Sequence, residues 1–217
     1  NEPGRTEWEG FLTATSAAAA GGITTVMDMP LNCLPVTTTK EALATKINEI
    51  EGKLFVNVGF WGGVVPESID QLDELLSAGV FGVKSFLIDS GIKEFPEMKE
   101  VDLNLAMPII AKHGCPYLIH AELDDEVTSG DNITHIYQSF LDSRPRSFEN
   151  NAVKLMIDLS IKHKCRVHIV HLSSSDVLED LAKTKATSSL ISVETCPHYL
   201  IIESEDIPDG KTLFKCC

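Results

Sequence analysis

Short apolar runs alternate with longer amphipathic segments along the whole chain. The runs are continuously hydrophobic and rich in β-branched residues, as expected of parallel strands that are buried on both faces. They predict six strands, at residues 23–29, 54–60, 80–88, 116–121, 166–172 and 190–195. The segments between and before them predict helices at residues 6–20, 39–50, 66–78, 102–113, 147–163 and 176–183.

The regular alternation of strand and helix predicts a parallel α/β fold. A (β/α)8 barrel typically needs about 250 residues and eight strands, whereas this chain has 217 residues. The pattern alone therefore leaves a barrel and an open sheet as alternatives. In a barrel, the carboxyl ends of the strands meet on one face, and active sites of this architecture are built there.

The composition narrows the classes of partner. Hydrophobic residues make up 43% of the chain, so it can bury a sizeable core. The formal net charge of -14 disfavours a nucleic-acid partner, because phosphate binding needs a basic surface. No apolar run approaches the roughly 18 residues of a membrane span, and the six cysteines lack the spacing of a zinc site. We expect no nucleic acid and no membrane as partner, and a reducing intracellular location in the cytoplasm or an organelle.

Three residues that could bind metal ions lie at the carboxyl ends of three successive predicted strands. They are Lys84, His120 and His171. Neutral imidazole is a good ligand for zinc, so the two histidines suit a metal site if their rings converge. Taken singly, a histidine at the end of a strand is more often a hydrogen-bonded structural residue than a metal ligand. Side chains alternate along a strand, so His168 is predicted to point away from His171 and from the shared pocket.

Lys84 is unusual because it lies within an apolar strand. Burial favours the neutral amine of a lysine, and a neutral amine can react with carbon dioxide to form a carbamate. A carbamate is in effect a longer carboxylate that could bridge two metal ions. The alternative is a lysine whose stem packs inside while its charged end reaches solvent at the end of the strand.

Longer motifs surround these three residues and occur in a consistent order. The sequence opens with Asn-Glu-Pro-Gly-Arg-Thr-Glu-Trp-Glu-Gly-Phe, and further motifs follow at residues 17–32 and 59–63 and around the three candidate ligands. This ordered set resembles the cyclic amidohydrolases, and most closely the allantoinases. Dihydroorotases and dihydropyrimidinases share the metal arrangement, but the opening run and the Asp-Met-Pro-Leu-Asn at residues 28–32 favour the allantoinases.

The resemblance implies hydrolysis of the hydantoin ring of allantoin to allantoate, in purine catabolism. It implies two divalent metal ions as cofactors, taken to be zinc, bridged by carboxylated Lys84. His120 and His171 are their expected ligands. It also implies a homo-oligomer, often a tetramer in this family, with allantoin as its small-molecule substrate. For His198, which follows the last predicted strand in a Pro-His pair, a supporting role at the site and a purely structural role both stay open.

The resemblance also places the chain within the family barrel. Residues 1–217 are expected to form an amidohydrolase barrel domain that spans about strands two to seven and is incomplete at both ends. The family's His-x-His pair on strand one and its catalytic Asp on strand eight have no counterpart here, so we expect no catalytic residue in this chain and no activity of the chain alone. A noncatalytic scaffold related to the dihydropyrimidinases is the alternative to an enzyme.

Overall fold

The computed structural model describes residues 1–124 and 133–214, and in these ranges the α/β prediction is confirmed. All strand pairs are parallel. The strands are β1 (Thr25–Asp28), β2 (Asn57–Phe60), β3 (Gly62–Gly63), β4 (Val83–Phe86), β5 (Tyr117–His120), β6 (Val167–Ile169) and β7 (Ile191–Val193). Each of the six predicted strands is found, although each is shorter than its apolar run.

The helices alternate with the strands as the pattern predicts. They are α1 (Phe11–Ala20), α2 (Lys40–Glu49), α3 (Leu72–Ser77), α4 (Glu100–His113), α5 (Tyr137–Ser143), α6 (Arg146–His163) and α7 (Leu178–Thr187). The predicted helix at 66–78 begins as a 3-10 helix, Pro66–Gln71, and α5 was not predicted. The Thr39 side chain accepts a hydrogen bond from the Ala42 amide at 3.1 Å and caps the start of α2.

The predicted strand at 54–60 continues further and changes its pairing partner. β2 pairs with β1, whereas β3, after Trp61, pairs with β4 in a five-stranded sheet of order β3-β4-β5-β6-β7. Glycine is required in this stretch, because a Cβ at Gly63 would lie only 2.4 Å from the Phe95 ring. The Phe81 amide still donates to the Phe60 carbonyl at 3.0 Å, so a backbone hydrogen bond joins the end of β2 to the segment before β4.

The main core lies between the sheet and the helices packed against it. Val83, Tyr117, Ile119 and Ile169 bury their side chains there with Met107 and other residues of the helices. The opposite face of the same strands carries a row of register partners: Lys84, Leu118, His168 and Ser192. A small apolar cluster of Val36, Val65, Phe86 and Phe95 also lies apart from the main core.

Two predictions from composition can be compared with the described residues. In residues 1–124 and 133–214, no helix is long and apolar enough to cross a membrane. Four cysteines in these ranges carry free thiols: Cys33, Cys115, Cys165 and Cys196. The other two, Cys216 and Cys217, lie outside the described residues.

Candidate functional site

Lys84 lies in β4 with only 8% of its surface exposed. Its Nζ is 4.9 Å from the centroid of the Phe86 ring. Burial lowers the pKa of Lys84, and the negative charge of Glu194 opposes this shift only in part. The position therefore favours the neutral amine relative to an exposed lysine, as the chemistry predicted for this residue requires.

His120 ends β5 and is 4% exposed. It is the register partner of Phe86, and the two rings stack with their centroids 4.6 Å apart and an interplanar angle of 16°. The Phe86 ring is thus in contact with both the imidazole of His120 and the amine of Lys84. Two neighbouring strands therefore bring two of the predicted residues to the same aromatic ring.

His171 follows the end of β6 by two residues and has a left-handed backbone, with φ of 43°. Its Nε2 lies 3.1 Å from Nδ1 of His120, and the two rings meet edge to face. Burial, followed by the nearby His120 and Lys84, lowers the pKa of His171 to about 4. The imidazole is therefore neutral near pH 7, which is the form that binds metal ions.

The spacing of these nitrogens can be compared with the needs of a metal ion. Two imidazole nitrogens bound to one tetrahedral zinc at about 2.0–2.1 Å are about 3.3 Å from each other. The observed 3.1 Å between His120 and His171 is close to that value. Within the two described ranges, no group of three or more His, Cys, Asp or Glu side chains is arranged to hold a metal ion. Two imidazole nitrogens therefore have a spacing compatible with one metal ion, and the amine of Lys84 lies against the same Phe86 ring as His120.

A carboxylate and a guanidinium extend the site on the other side of His120. Nε2 of His120 lies 3.1 Å from Oε2 of Glu122, and Nη1 of Arg144 donates to the same oxygen at 2.7 Å. Burial raises the pKa of Glu122, but the hydrogen bond from His120 and the charge of Arg144 outweigh it, and the net shift is downward. Glu122 is therefore ionised at neutral pH.

The sequence reasoning did not give Glu122 or Arg144 a role. Glu122 lies two residues after a candidate ligand, which places it at the same strand end, and this spacing was a usable signal. Arg144 is 22 residues further along the chain, at the end of α5. Nothing in the sequence pattern indicates that it returns to the site.

A cavity of about 880 Å³ lies beside this network. Arg144 lines it, together with Ser173 and Ser174, which follow His171 closely in the chain. His198 and Tyr199 form part of another wall. Arg144 connects the cavity to the network through its bond to Glu122, whereas Lys84, His120, Glu122 and His171 are not among the described residues that line it. His198 lies in the wall of the cavity.

The orientation predicted for His168 is wrong. His168 is the register partner of Leu118, which is itself the partner of Lys84, so all three side chains lie on one face of the sheet. Its ring contacts Ser192 at 2.8 Å and Glu194 at 3.5 Å. Strict alternation fails as a guide because His171 lies beyond the strand in a left-handed conformation.

Two other histidines lie at the far ends of the helices. His113 and His163 are the last residues of α4 and α6, where they contact Asp73 and Asn104 at 2.9 Å each. Helices that return between parallel strands end near the amino ends of those strands. Both rings therefore lie near the amino ends of the strands, whereas the candidate site lies at the carboxyl ends.

Comparison with known proteins places this arrangement in context. The model of the amidohydrolase family matches residues 1–211. The mitochondrial allantoinase of Aquarana catesbeiana is 49% identical over 220 residues, which cover 100% of this chain and 45% of that protein. The allantoinase of Streptomyces avermitilis is 48% identical and is covered to 49% of its length. The chain thus spans about half the length of these relatives.

Solved structures agree with the fold. The L-hydantoinase (dihydropyrimidinase) of Arthrobacter aurescens superimposes with a TM-score of 0.82 at 26% identity, over 91% of this chain and 45% of that one. A D-hydantoinase gives a TM-score of 0.77 at 26% identity, over 90% of this chain and 44% of the other. The parallel strands described above are consistent with part of the barrel expected from the sequence.

Proposed function

Because this chain belongs to the amidohydrolase family, we propose that its protein hydrolyses the hydantoin ring of allantoin to give allantoate. The relatives named allantoinase support this substrate, since their identity to the chain extends over all of it. The observation that carries the proposal is the meeting of two imidazole nitrogens, on His120 and His171, beside a buried lysine. A noncatalytic scaffold would have no need to keep these groups together.

Two divalent metal ions, taken as zinc, are the proposed cofactors, with His120, His171 and carboxylated Lys84 as their ligands in this chain. When bound, such ions polarise a carbonyl and lower the pKa of water toward neutrality. The buried position of Lys84 supports the modification, because carbon dioxide adds to the neutral amine, whose nitrogen releases one proton to solvent as the carbamate anion forms. The added group would replace an uncharged end with a carboxylate-like one that needs cations beside it.

The side chains suit the binding of a small cyclic amide. The Phe86 ring stacks on the His120 imidazole and shields that face of it from water. The adjoining cavity, with Arg144 and the serines at 173–175, offers donors for the carbonyl oxygens of a ureido-substituted ring. In the hydrolysis, water adds to the ring carbonyl, the carbon–nitrogen bond breaks, and the leaving nitrogen takes up a proton.

We further propose that residues 1–217 form part of a single barrel domain and that the protein assembles as a homo-oligomer. The cytoplasm or an organelle is the proposed location. The superposition on hydantoinases supports the barrel, since each covers nine tenths or more of this chain. Size measurement of the purified protein tests the assembly.

The test uses the protein at its full natural length, loaded with zinc. Allantoate formation is measured for the unchanged protein and for the variants Lys84→Ala, His120→Ala and His171→Ala. We expect each variant to lose activity by more than 100-fold and to bind less zinc. His113→Asn is the matched control, because this histidine contacts Asp73 at the other end of the fold, and it should retain both properties.

The same assay is run with hydantoin and dihydrouracil, since the structural neighbours are hydantoinases. Faster turnover of either compound than of allantoin would replace the proposed substrate while keeping the reaction. Zinc binding without hydrolysis of any cyclic amide would favour the scaffold alternative.

A further inference from the structure

Glu122 and Arg144 form a partly buried ion pair directly against His120. We propose that this pair positions His120, holding its ring so that Nδ1 faces the metal ion shared with His171. The inference rests on the proposed metal site. It assigns a positioning role to two residues that do not themselves bind the ion.

The geometry leaves one hydrogen-bonding pattern for His120. Oε2 of Glu122 is paired with the Arg144 guanidinium at 2.7 Å, and a carboxylate oxygen in an ion pair accepts hydrogen bonds. The ring nitrogen of His120 that lies 3.1 Å from the same oxygen must therefore carry the proton. That nitrogen is Nε2. In the neutral ring Nδ1 then keeps its lone pair, and Nδ1 is the atom that lies 3.1 Å from Nε2 of His171. The carboxylate thus selects the tautomer that can share an ion with His171.

Arg144 fixes the carboxylate. Its Nη1 donates at 2.7 Å to the oxygen that His120 contacts, and the Glu122 side chain is only 14% exposed. Since the arginine precedes α6 and the glutamate follows β5, the pair also joins two separate parts of the chain. The stacked Phe86 ring holds the flat face of His120 while the pair holds its edge. Together these contacts leave the imidazole little freedom to rotate.

Partners of this kind affect metal binding measurably. Histidine ligands commonly donate their second ring nitrogen to a carboxylate, and loss of that carboxylate typically weakens metal affinity by about 10- to 100-fold. If the ion pair only joined the segment after β5 to the end of α5, its removal would change the free energy of unfolding without changing metal affinity. Metal affinity therefore separates the positioning role from a purely structural one.

The experiment measures zinc affinity by competition with a coloured chelator, using the protein at its full natural length. Glu122→Ala should bind zinc about 10- to 100-fold more weakly than the unchanged protein. Glu122→Gln should lose less, because its amide oxygen still accepts from His120 although its amide nitrogen faces Arg144. Arg144→Lys should retain affinity that Arg144→Met loses, since the ammonium keeps the positive charge beside Glu122.

Two further measurements complete the test. Glu179→Gln is the matched control, since this exposed glutamate pairs with Lys183 on α7, and its zinc affinity should equal that of the unchanged protein. The visible spectrum of the cobalt-substituted protein should change in Glu122→Ala, because the His120 ligand is displaced. If Glu122→Ala does not fold, Glu122→Gln and the arginine variants carry the comparison.

The outcomes are distinct. Unchanged zinc affinity and an unchanged cobalt spectrum in folded Glu122→Ala or Glu122→Gln would overturn the positioning role while leaving the proposed function intact. If His120→Ala and His171→Ala also leave zinc binding unchanged, the proposed metal site itself fails. The inference is supported if the Glu122 variants bind zinc more weakly and if Arg144→Lys retains the zinc affinity that Arg144→Met loses.

Discussion

Two buried hydroxyl groups link the strands that carry Lys84 and His120. Tyr117, which is fully buried in β5, donates from its hydroxyl to Oγ of Ser85 at 2.9 Å. Ser85 in turn donates to the Val64 carbonyl at 2.6 Å, at the end of β3. We predict that the two substitutions Tyr117→Phe and Ser85→Ala destabilise the fold unequally, and that their effects are not additive.

The difference follows from what each change leaves behind. Tyr117→Phe removes one hydrogen bond, and Ser85 keeps its own acceptor, so the loss should be about 1 kcal/mol. Ser85→Ala removes the bond to Val64 and also leaves the Tyr117 hydroxyl buried without its acceptor, which adds about 1–3 kcal/mol. The single change at Ser85 should therefore cost about 2–4 kcal/mol. In the Ser85→Ala background, Tyr117→Phe removes that unpaired hydroxyl and should be neutral or stabilising.

Urea unfolding of the four proteins, followed by circular dichroism and by tryptophan fluorescence, measures these effects. The urea midpoint should fall more for Ser85→Ala than for Tyr117→Phe, and the dependence of the unfolding free energy on urea concentration should stay unchanged. Circular dichroism and fluorescence should give the same midpoints. Full additivity of the two single changes would refute the reasoning, because it would show that the hydroxyls do not depend on each other. Equal losses from the two single changes would refute it as well.

Four further outcomes are expected. Thr39→Ala should lower the free energy of unfolding in urea by about 1 kcal/mol, because the cap on α2 is lost. Gly114→Ala should lower it by about 1–2 kcal/mol, because φ is 65° at this position and an alanine is strained there even though no neighbouring atom would clash with its Cβ. Asp28→Asn should cost about 2–3 kcal/mol by the same measurement, because the buried Lys46 loses its carboxylate, although Asp28 itself is 24% exposed. Burial raises the pKa of Tyr117 in the folded protein above the value of about 10 in the unfolded chain. The stability that comes from this shift is complete below a pH of about 10 and is lost as the pH rises from there toward the folded pKa. Urea unfolding above pH 10 should therefore show the unchanged protein losing up to about 1.4 kcal/mol per pH unit more than Tyr117→Phe.

The sequence was sufficient to predict most of the fold, because continuous apolar runs and helical periodicity are both local signals. It was not sufficient to predict the change of pairing between β2 and β3. At that change Gly63 packs against the ring of Phe95, a residue that lies 32 positions away in the chain, and a local pattern does not show such a contact. The short helix α5 was missed for a related reason, since it is only seven residues long and buries little of its surface.

The candidate site was predictable in its residue types and less so in its contacts. Lys84 and His120 lie within regular strands, so their position at the strand ends followed from the apolar pattern. Glu122 lies only two residues beyond His120 and could have been assigned from that spacing. Arg144 could not, because its bond to Glu122 depends on the path of the chain between β5 and α6.

His171 shows most clearly why the contacts could not be deduced. Alternation holds only while the backbone keeps extended dihedrals, and β6 ends at Ile169. Beyond it, the turn is held by distant partners: the Leu172 amide donates to the Glu194 carbonyl at 2.8 Å, and the Ser173 amide donates to the Glu149 carboxylate at 3.0 Å. These tertiary contacts surround the left-handed conformation that brings the imidazole to His120. The position of a ligand in the sequence therefore shows which strand end carries it, while elements 22 to 24 residues away decide where its ring points.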